Sequence, residues 1–348
     1  MRVFLTGGTG FIGQPLTQSF LRRGWEVTAL VRKPESSQAQ YLSKLGVILA
    51  KGDVTDRESM RTALSGADIV VHNAGLYEYG LDAAGSQRAQ QINVHGTENT
   101  LSLAHELGIQ RTVYVSTVWA YGDSGPASRD ENFERQAPYY TAYERTKTEA
   151  HKIARQYQQR GLPLAIVCPN GVMGVNDHSV IGYFLRLYVN HLMPPMAWAP
   201  NSTYSFVEVT DLAEGVALAA EKGRMGETYF LCGEPKSLKE HFRIWNEKPG
   251  GFKSRIWMPA RLMEFMFWPL EPLQRAVGLP AFMSRETVHG ASCSLNYSGE
   301  KAQRELGWTC RSAREMWHGI IDGEIELLAK RRGQGLVARL QPLESGIQ

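Results

Sequence analysis

The stretch TGGTGFIG, residues 6–13, follows the apolar run Arg2-Val3-Phe4-Leu5 and leads into a helical pattern that reaches about Arg23. A strand that runs into glycines spaced three apart and then into a helix brings backbone amides to a pyrophosphate. Gly7, Gly10 and Gly13 fit that spacing, and Gly8, Gly10 and Gly13 fit GxGxxG equally well, so spacing leaves two registers open. In either register the glycines permit the turn, let backbone approach the phosphates, and let the helix pack on the sheet. Phe11 and Ile12 ride in the same turn and are expected beside the cofactor.

Outward from this turn the chain alternates. Residues 26–31 read as a second strand, and short apolar runs recur at 47–50, 69–72, 112–116 and 164–168. Helical stretches at 57–64, 87–107 and 143–160 separate them. A parallel crossover needs a helix to return the chain, so the pattern predicts an α/β fold with a Rossmann-type doubly wound parallel sheet. Thr55 and Glu58 are spaced as a capping box after Asp53. Beyond Pro169 the alternation breaks, then 204–209 reads as a strand, 211–221 as a helix and 227–231 as a last strand. The expected division is a dinucleotide-binding domain of 1–174 to which 204–232 returns. A smaller, mainly helical substrate-binding region comprises 175–203 and 233–330, and a Gly-rich polar tail at 331–348 is expected to be loosely ordered.

Composition fits this reading and excludes others. The chain has 348 residues, 43% hydrophobic and 21% charged, enough to bury a large core. Its net charge of +3 arises from 38 basic and 35 acidic residues that are interspersed, which gives no electrostatic case for nucleic acid. Cys168, Cys232, Cys293 and Cys310 form no CxxC pair, so reduced core thiols are expected and a structural metal is not. With no signal-peptide pattern and no apolar run of bilayer-spanning length, a cytoplasmic protein is the expectation.

Two positions suggest chemistry. In YERTK, Tyr143 and Lys147 lie one helical turn apart on a shared face. A phenol of ordinary pKa near ~10 is a poor proton carrier at neutral pH until a neighbouring ammonium favours its anion. Thr117, at the carboxyl end of the 112–116 strand, stands where ligands bind in such sheets and would donate to a substrate oxygen, with Ser116 the weaker candidate. At the end of the second strand, where a carboxylate would hold the ribose of NAD, stand Arg32, Lys33 and Pro34, which favours the extra phosphate of NADP over NAD.

With TGGTGFIG, GDVTD, NVHGTEN, VYVSTVWAYG, YERTK and CPNGVMG in place, the chain resembles the extended short-chain dehydrogenase/reductases, over roughly residues 1–232 and weakly to about 325. The resemblance implies that Thr117, Tyr143 and Lys147 are catalytic, Lys147 also binding the nicotinamide ribose. It implies that Asn93 is a structural or relay amide, that Asp53 and Val54 contact adenine, and that Pro169 and Val172 flank the nicotinamide. VTALVRKP resembles the dihydroflavonol-reductase and 3β-hydroxysteroid-dehydrogenase-like branch, while LNYSGEKAQRELGW is also similar to hopanoid-associated sugar-epimerase-like proteins. Val118 and Trp119 replace the Asp-Glu pair of the sugar-nucleotide dehydratases, which disfavours water elimination.

The expected activity is NADP-dependent hydride transfer between nicotinamide and a carbonyl or alcohol. A sugar-nucleotide epimerase with retained NAD(P) and a non-catalytic NADP-binding regulatory protein are the alternatives. The expected partner is a small molecule, with apolar or aromatic character suggested by Tyr77, Tyr79, His178, Tyr183, Met193, Trp198 and Tyr204 as candidate walls. The segment 256–270, rich in Trp, Met and Phe, is expected to cover that substrate, to pack in the core, or to make peripheral membrane contact. Many relatives pair through the YxxxK helix, so the resemblance also brings in a homodimer.

Overall fold

A computed structural model describes residues 1–78, 80–251, 256–270, 274, 284–331 and 333–343. Seven strands form one wholly parallel sheet: β1 (Arg2–Thr6), β2 (Glu26–Val31), β3 (Ile48–Lys51), β4 (Ile69–His72), β5 (Arg111–Val115), β6 (Leu164–Pro169) and Thr228–Leu231. Their spatial order places β1 between β4 and β2, the last strand on the outer side of β6, and β3 at the opposite edge. The order reverses at β1, so the carboxyl ends of β1 and β4 flank a crevice suited to a ligand.

Period-two alternation explains how one sheet feeds two cores. Val3 and Leu5 pack on one face with Ile69, Val71, Val113 and Val167. Phe4 packs on the other with Val70, Tyr114, Ile166 and Phe230. All residues of β4 and β6 are buried, so these strands read as continuous apolar runs, as strands covered on both faces do. The covering helices are α1 (Gly13–Arg22), α2 (Ser37–Lys44), α3 (Arg57–Leu64), α4 (Ala83–Ala89), α5 (Gly96–Glu106), α6 (Ala142–Gln159) and, later in the chain, Val209–Lys222, which packs against α1.

Five sequence expectations need correction. The helix expected at 87–107 is three pieces, because a π-helical turn over Gln90–His95 separates α4 from α5. Gly96 sits so close to Val54 that an added Cβ would lie 2.8 Å from its Cγ2, and the extra residue in the turn accommodates that approach. The cap of α3 is Asp56, whose side chain accepts from Ser59 N. Thr55 is committed instead to Asp53 Oδ1, through both its amide and its hydroxyl at 2.9 Å, and Glu58 pairs with Arg57 and Arg61.

The strand expected at 204–209 is interrupted: β7 (Val172–Met173) pairs with Val207–Glu208, whereas Thr203–Tyr204 pairs antiparallel with Lys236–Ser237. Residues 228–231 are therefore not the last strand, and Ile256–Met258 also pairs, with Met196–Trp198. The described part of the tail is docked rather than loose. Leu336–Leu340 is helical, Arg186 donates to Leu340 O at 2.8 Å, and Asn176 exchanges two bonds with the backbone of Leu343.

The later helices are α7 (Val180–Val189), α8 (Val209–Lys222), α9 (Leu238–Trp245), α10 (Ala260–Phe267), α11 (Arg285–Ser292), α12 (Glu300–Leu306) and α13 (Ala313–Lys330). Of these, α8 and α12 belong to the sheet layer, α12 packing on α8 and on Thr228–Leu231, while the others form a second layer beyond the carboxyl ends of the strands, in which α13 packs on α7 and α9. All four cysteines are free. Among the described residues no helix is long and apolar enough to cross a membrane, and no cluster of His, Cys, Asp and Glu could hold a metal.

Candidate active site

One cavity of about 690 Å³ runs along the carboxyl ends of the strands and gathers residues from Gly7 to Trp317. At its first end is the glycine turn. Gly7 has φ +73°, and a Cβ there would fall 2.8 Å from Ala74 Cα, so both conformation and space demand glycine. Gly8 points instead at Leu5, Ala29 and Leu42 in the core, and only Gly7 and Gly10 of the turn glycines line the cavity. The cleft-facing register is therefore Gly7 and Gly10. Gly13 works by packing, since a Cβ would lie 2.0 Å from Gly7 O. Ile12 stands at the N-cap of α1 with no side-chain cap bond, and the first turn holds no acid, which leaves amides for an anion.

A directional hydrogen-bond chain holds this turn. Thr6 Oγ1 accepts from the amides of Asn73 and Ala74 at 3.2 and 3.1 Å, so its own proton goes to His72 Nδ1 at 2.8 Å. His72 Nε2–H then donates to Thr97 Oγ1 at 3.1 Å, and Thr97 donates to Asn93 O at 2.7 Å. Burial holds the His72 pKa down to about 3, in keeping with a ring that must accept at one nitrogen and donate at the other. Asn73 Nδ2 donates to Gly7 O at 3.3 Å, whereas its buried Oδ1 has no partner among the described residues.

Further along, Phe11, Ile12, Arg32, Asp53 and Val54 line the same cavity, with Pro169 and Val172 beyond them. The sequence reading missed Arg88, an exposed guanidinium of α4 that borders the cleft near Arg32 and Asp53. A surface arginine on a short helix carries no pattern that would mark it.

Thr117, Tyr143 and Lys147 meet on the central wall. Thr117 Oγ1 accepts from Trp119 N at 3.2 Å, which leaves its hydroxyl proton for another acceptor. Lys147, buried, donates to Tyr114 OH at 3.2 Å and Val115 O at 3.1 Å, and keeps its third N–H. Burial pushes the Tyr143 phenol up, opposed by the Lys147 charge and by a hydrogen bond with Thr117. Burial likewise lowers Lys147, opposed by Tyr143. The phenol therefore rests protonated, beside the groups that favour its anion once the proton leaves.

Ser116 lines the cavity but is bonded to His151 Nδ1 at 3.0 Å. Asn93 does not line the cavity: it brackets Leu76 through N–H and C=O and donates to Thr146 Oγ1, pinning the loop before Tyr77 to α6. Tyr77 meets Tyr143 edge-on, centroids 4.8 Å apart. Arg135, half-buried, and Glu144, buried, paired at 2.6 Å, fasten the loop ahead of α6, with Arg135 also donating to Trp119 O.

The other end is a chamber of the second layer. Tyr77, His178, Met193, Trp198 and Tyr204 line it, as the sequence suggested. Tyr183 does not, and Tyr79 lies outside the described residues. Phe184, Phe206, His241, Phe242, Trp245 and Trp317 line it unforeseen, each on an element whose apolar periodicity reads as ordinary core. From 256–270, Met263 and Phe267 face the chamber, whereas Phe265 and Trp268 are 70% and 61% exposed. The lysines and arginines along the cavity are Arg32, Arg88 and Lys147, so the chamber itself has none among the described residues.

Residues 3–232 match the model of the NAD-dependent epimerase/dehydratase family. A 4-hydroxy-2-methyl-3-oxo-4-farnesyl-3,4-dihydroquinoline-1-oxide ketoreductase from Stigmatella aurantiaca is 32% identical, covering 89% of this chain and 92% of that protein. A 3-beta-hydroxysteroid dehydrogenase from Mycolicibacterium neoaurum is 30% identical over 88% of this chain and 86% of its own length. The solved UDP-glucose 4-epimerase of Thermotoga maritima superposes with a TM-score of 0.73 over 94% of this chain and 100% of that one, at 18% identity, a likeness of fold alone.

Proposed function

Because the chain belongs to the NAD-dependent epimerase/dehydratase family and is an NAD(P)-dependent oxidoreductase of the extended short-chain dehydrogenase/reductase type, we propose that it reduces the carbonyl of a hydrophobic substrate with NADP, Tyr143 giving the proton. The observation that carries the reading is the change of character along one cavity. Glycine amides and two arginines line one end, Thr117, Tyr143 and Lys147 the middle, and a chamber without a lysine or arginine among the described residues the other. A nucleotide-sugar substrate would bring its diphosphate into that chamber, where no cation awaits it. The two similar enzymes named for a farnesyl-bearing quinoline oxide and for a steroid, both large and mostly hydrocarbon, support an apolar substrate.

The residues present fit a dinucleotide: Gly7 leaves space where a Cβ would clash, and α1 offers uncapped amides. Arg32, with Arg88 near it and no carboxylate at the end of β2, suits a 2′-phosphate. A bound nicotinamide supplies the hydride chemistry. Around it, Thr117 donates to the substrate oxygen and Tyr143 transfers its proton to that oxygen. Lys147 lowers the cost of the phenolate that remains.

The test is turnover of NADPH with apolar ketones by wild type and Tyr143→Phe. One NADPH consumed per alcohol formed, with a loss of roughly 10²–10⁴-fold in kcat for the variant at unchanged NADPH affinity, is the expected result. Isomerisation of a sugar nucleotide without net NADPH consumption would replace this reading.

A further inference from the structure

The loop that joins β7 to α7 folds over the glycine turn. Gly174 lies against Phe11, where an added Cβ would stand 3.0 Å from Cζ, and the ring of His178 comes to 6.3 Å from the Phe11 ring, centroid to centroid. Phe11 is therefore held between Gly174 and His178, and its neighbour Ile12 is the N-cap of α1. Gly10, Phe11, Ile12 and His178 all line the cavity, so the imidazole and the start of α1 border the same space from two layers.

The residues around His178 are fixed in place. Asn176, at φ +61°, donates its amide to Glu324 Oε1 at 2.6 Å and exchanges two bonds with Leu343. Asp177 is buried; its carboxylate accepts from the amide and hydroxyl of Ser179, and its carbonyl accepts from Arg186 at 2.7 Å. Ser179 also caps α7 by accepting from Gly182 N. Asp177, His178 and Ser179 all line the cavity, and of these three side chains that of His178 alone is exposed and hydrogen-bonds nothing among the described residues. Burial and the Arg186 charge hold its pKa below the ordinary 6.5, so at neutral pH the ring is uncharged and one nitrogen keeps a proton to donate.

Resting on the reading of the glycine turn as a dinucleotide site, we propose that His178 is a cofactor-binding residue: its ring N–H donates to the pyrophosphate of NADP from the second layer, while the amides of α1 donate from the sheet layer. The pyrophosphate is common to NADP and NAD, so His178 contributes to affinity and not to the choice between them, unlike Arg32. The same loop opens α7, whose Ile181 and Phe184 line the chamber, so this contact ties the cofactor end to a wall of the substrate end.

The experiment titrates full-length wild type, His178→Phe and His178→Gln with NADP, NAD and adenosine 2′-phosphate, read by isothermal calorimetry at neutral pH. Phenylalanine keeps a ring against Phe11 and removes the donor, whereas glutamine keeps a donor. The expected result is that His178→Phe binds NADP and NAD each roughly tenfold more weakly and that His178→Gln stays within about threefold of wild type. Adenosine 2′-phosphate, which has no pyrophosphate, should bind all three proteins alike. In wild type labelled with ¹⁵N-histidine, the His178 ring resonance should move with NADP and stay with adenosine 2′-phosphate, a readout that survives poor folding of either variant. Unchanged affinities in His178→Phe, an equal loss for adenosine 2′-phosphate, a His178→Gln variant as weak as His178→Phe, or an unmoved His178 resonance overturns the proposal. Binding of neither NADP nor NAD by wild type overturns the dinucleotide reading and the proposal with it. Binding is read without turnover, so a protein that gives every expected result yet reduces no ketone overturns the catalytic reading alone.

Discussion

At the dinucleotide end of the cleft the wall is built around closely approaching backbone, the glycine turn, the first turn of α1 and the ends of β1 and β4, with Arg32, Asp53 and Arg88 beside it. At the chamber end the walls are side chains from segments spread between Met173 and Trp317. Backbone cannot move aside for an added atom, whereas close-packed side chains accept exchanges that conserve volume. The glycine turn at the first end is therefore held tightly by backbone contacts. The second can be retuned without disturbing the first.

The sharpest way to break this contrast is Gly13→Ala. Its Cβ would sit 2.0 Å from Gly7 O and 2.6 Å from Gly8 C, both backbone atoms. Overpacking costs about 1–3 kcal/mol where side chains can yield, and more where they cannot. The variant should lose NADPH affinity by more than roughly 100-fold in a fluorescence titration, with a lower melting temperature. Near-normal affinity would mean that the turn is softer than its packing implies.

Next in size is Arg32→Ala. If its guanidinium meets a 2′-phosphate, losing a charge-assisted bond costs about 1.5–3 kcal/mol. NADPH should then bind roughly 10–100-fold more weakly while NADH binding stays within about twofold. Equal weakening of both cofactors would place Arg32 outside the phosphate contact and reopen the choice of NAD.

The unequal legibility of the two ends has the same root. The turn could be read because strand, glycines and helix are consecutive, and YERTK because one helix carries both groups. The register of the turn could not, since what distinguishes Gly7 from Gly8 is the approach of Ala74, a residue of the distant β4 exit. Trp245, Trp317 and Phe206 become one wall only after α9, α13 and the 203–208 segment have packed, and each alone obeys the period of an ordinary core residue. Capping at α3 went astray for a local reason, a competing turn at Asp53 that claimed Thr55.

A pH experiment asks how firmly the backbone end is held. The folded-state pKa of His72, about 3, lies below the ordinary value of 6.5 for the unfolded chain, so its contribution is complete above 6.5. It falls as the pH drops, because the unfolded state then binds a proton that the native state refuses. Between about pH 7 and about pH 5 wild type should lose on the order of 2 kcal/mol more unfolding free energy than His72→Gln, measured by urea titration at each pH. Parallel losses in the two proteins would mean that the ring ionises in the native state as readily as in the unfolded chain, giving up the bond from Thr6.

The smallest effect belongs to the chamber. Met263 is buried on α10, with Met196, Trp198 and Met258 around it, and its side chain forms part of the wall. Met263→Leu keeps the volume nearly constant but exchanges a flexible thioether for a branched end. It should cost less than about 1.5 kcal/mol in urea unfolding and leave NADPH affinity unchanged, since this helix packs mainly on α11, in the second layer. What should change, by a few fold, is KM for slim against bulky ketones, because a stiffer wall admits fewer shapes. A loss of NADPH affinity comparable to that of Gly13→Ala would show the two ends to be one mechanically coupled unit, and a chamber so coupled could not be retuned alone.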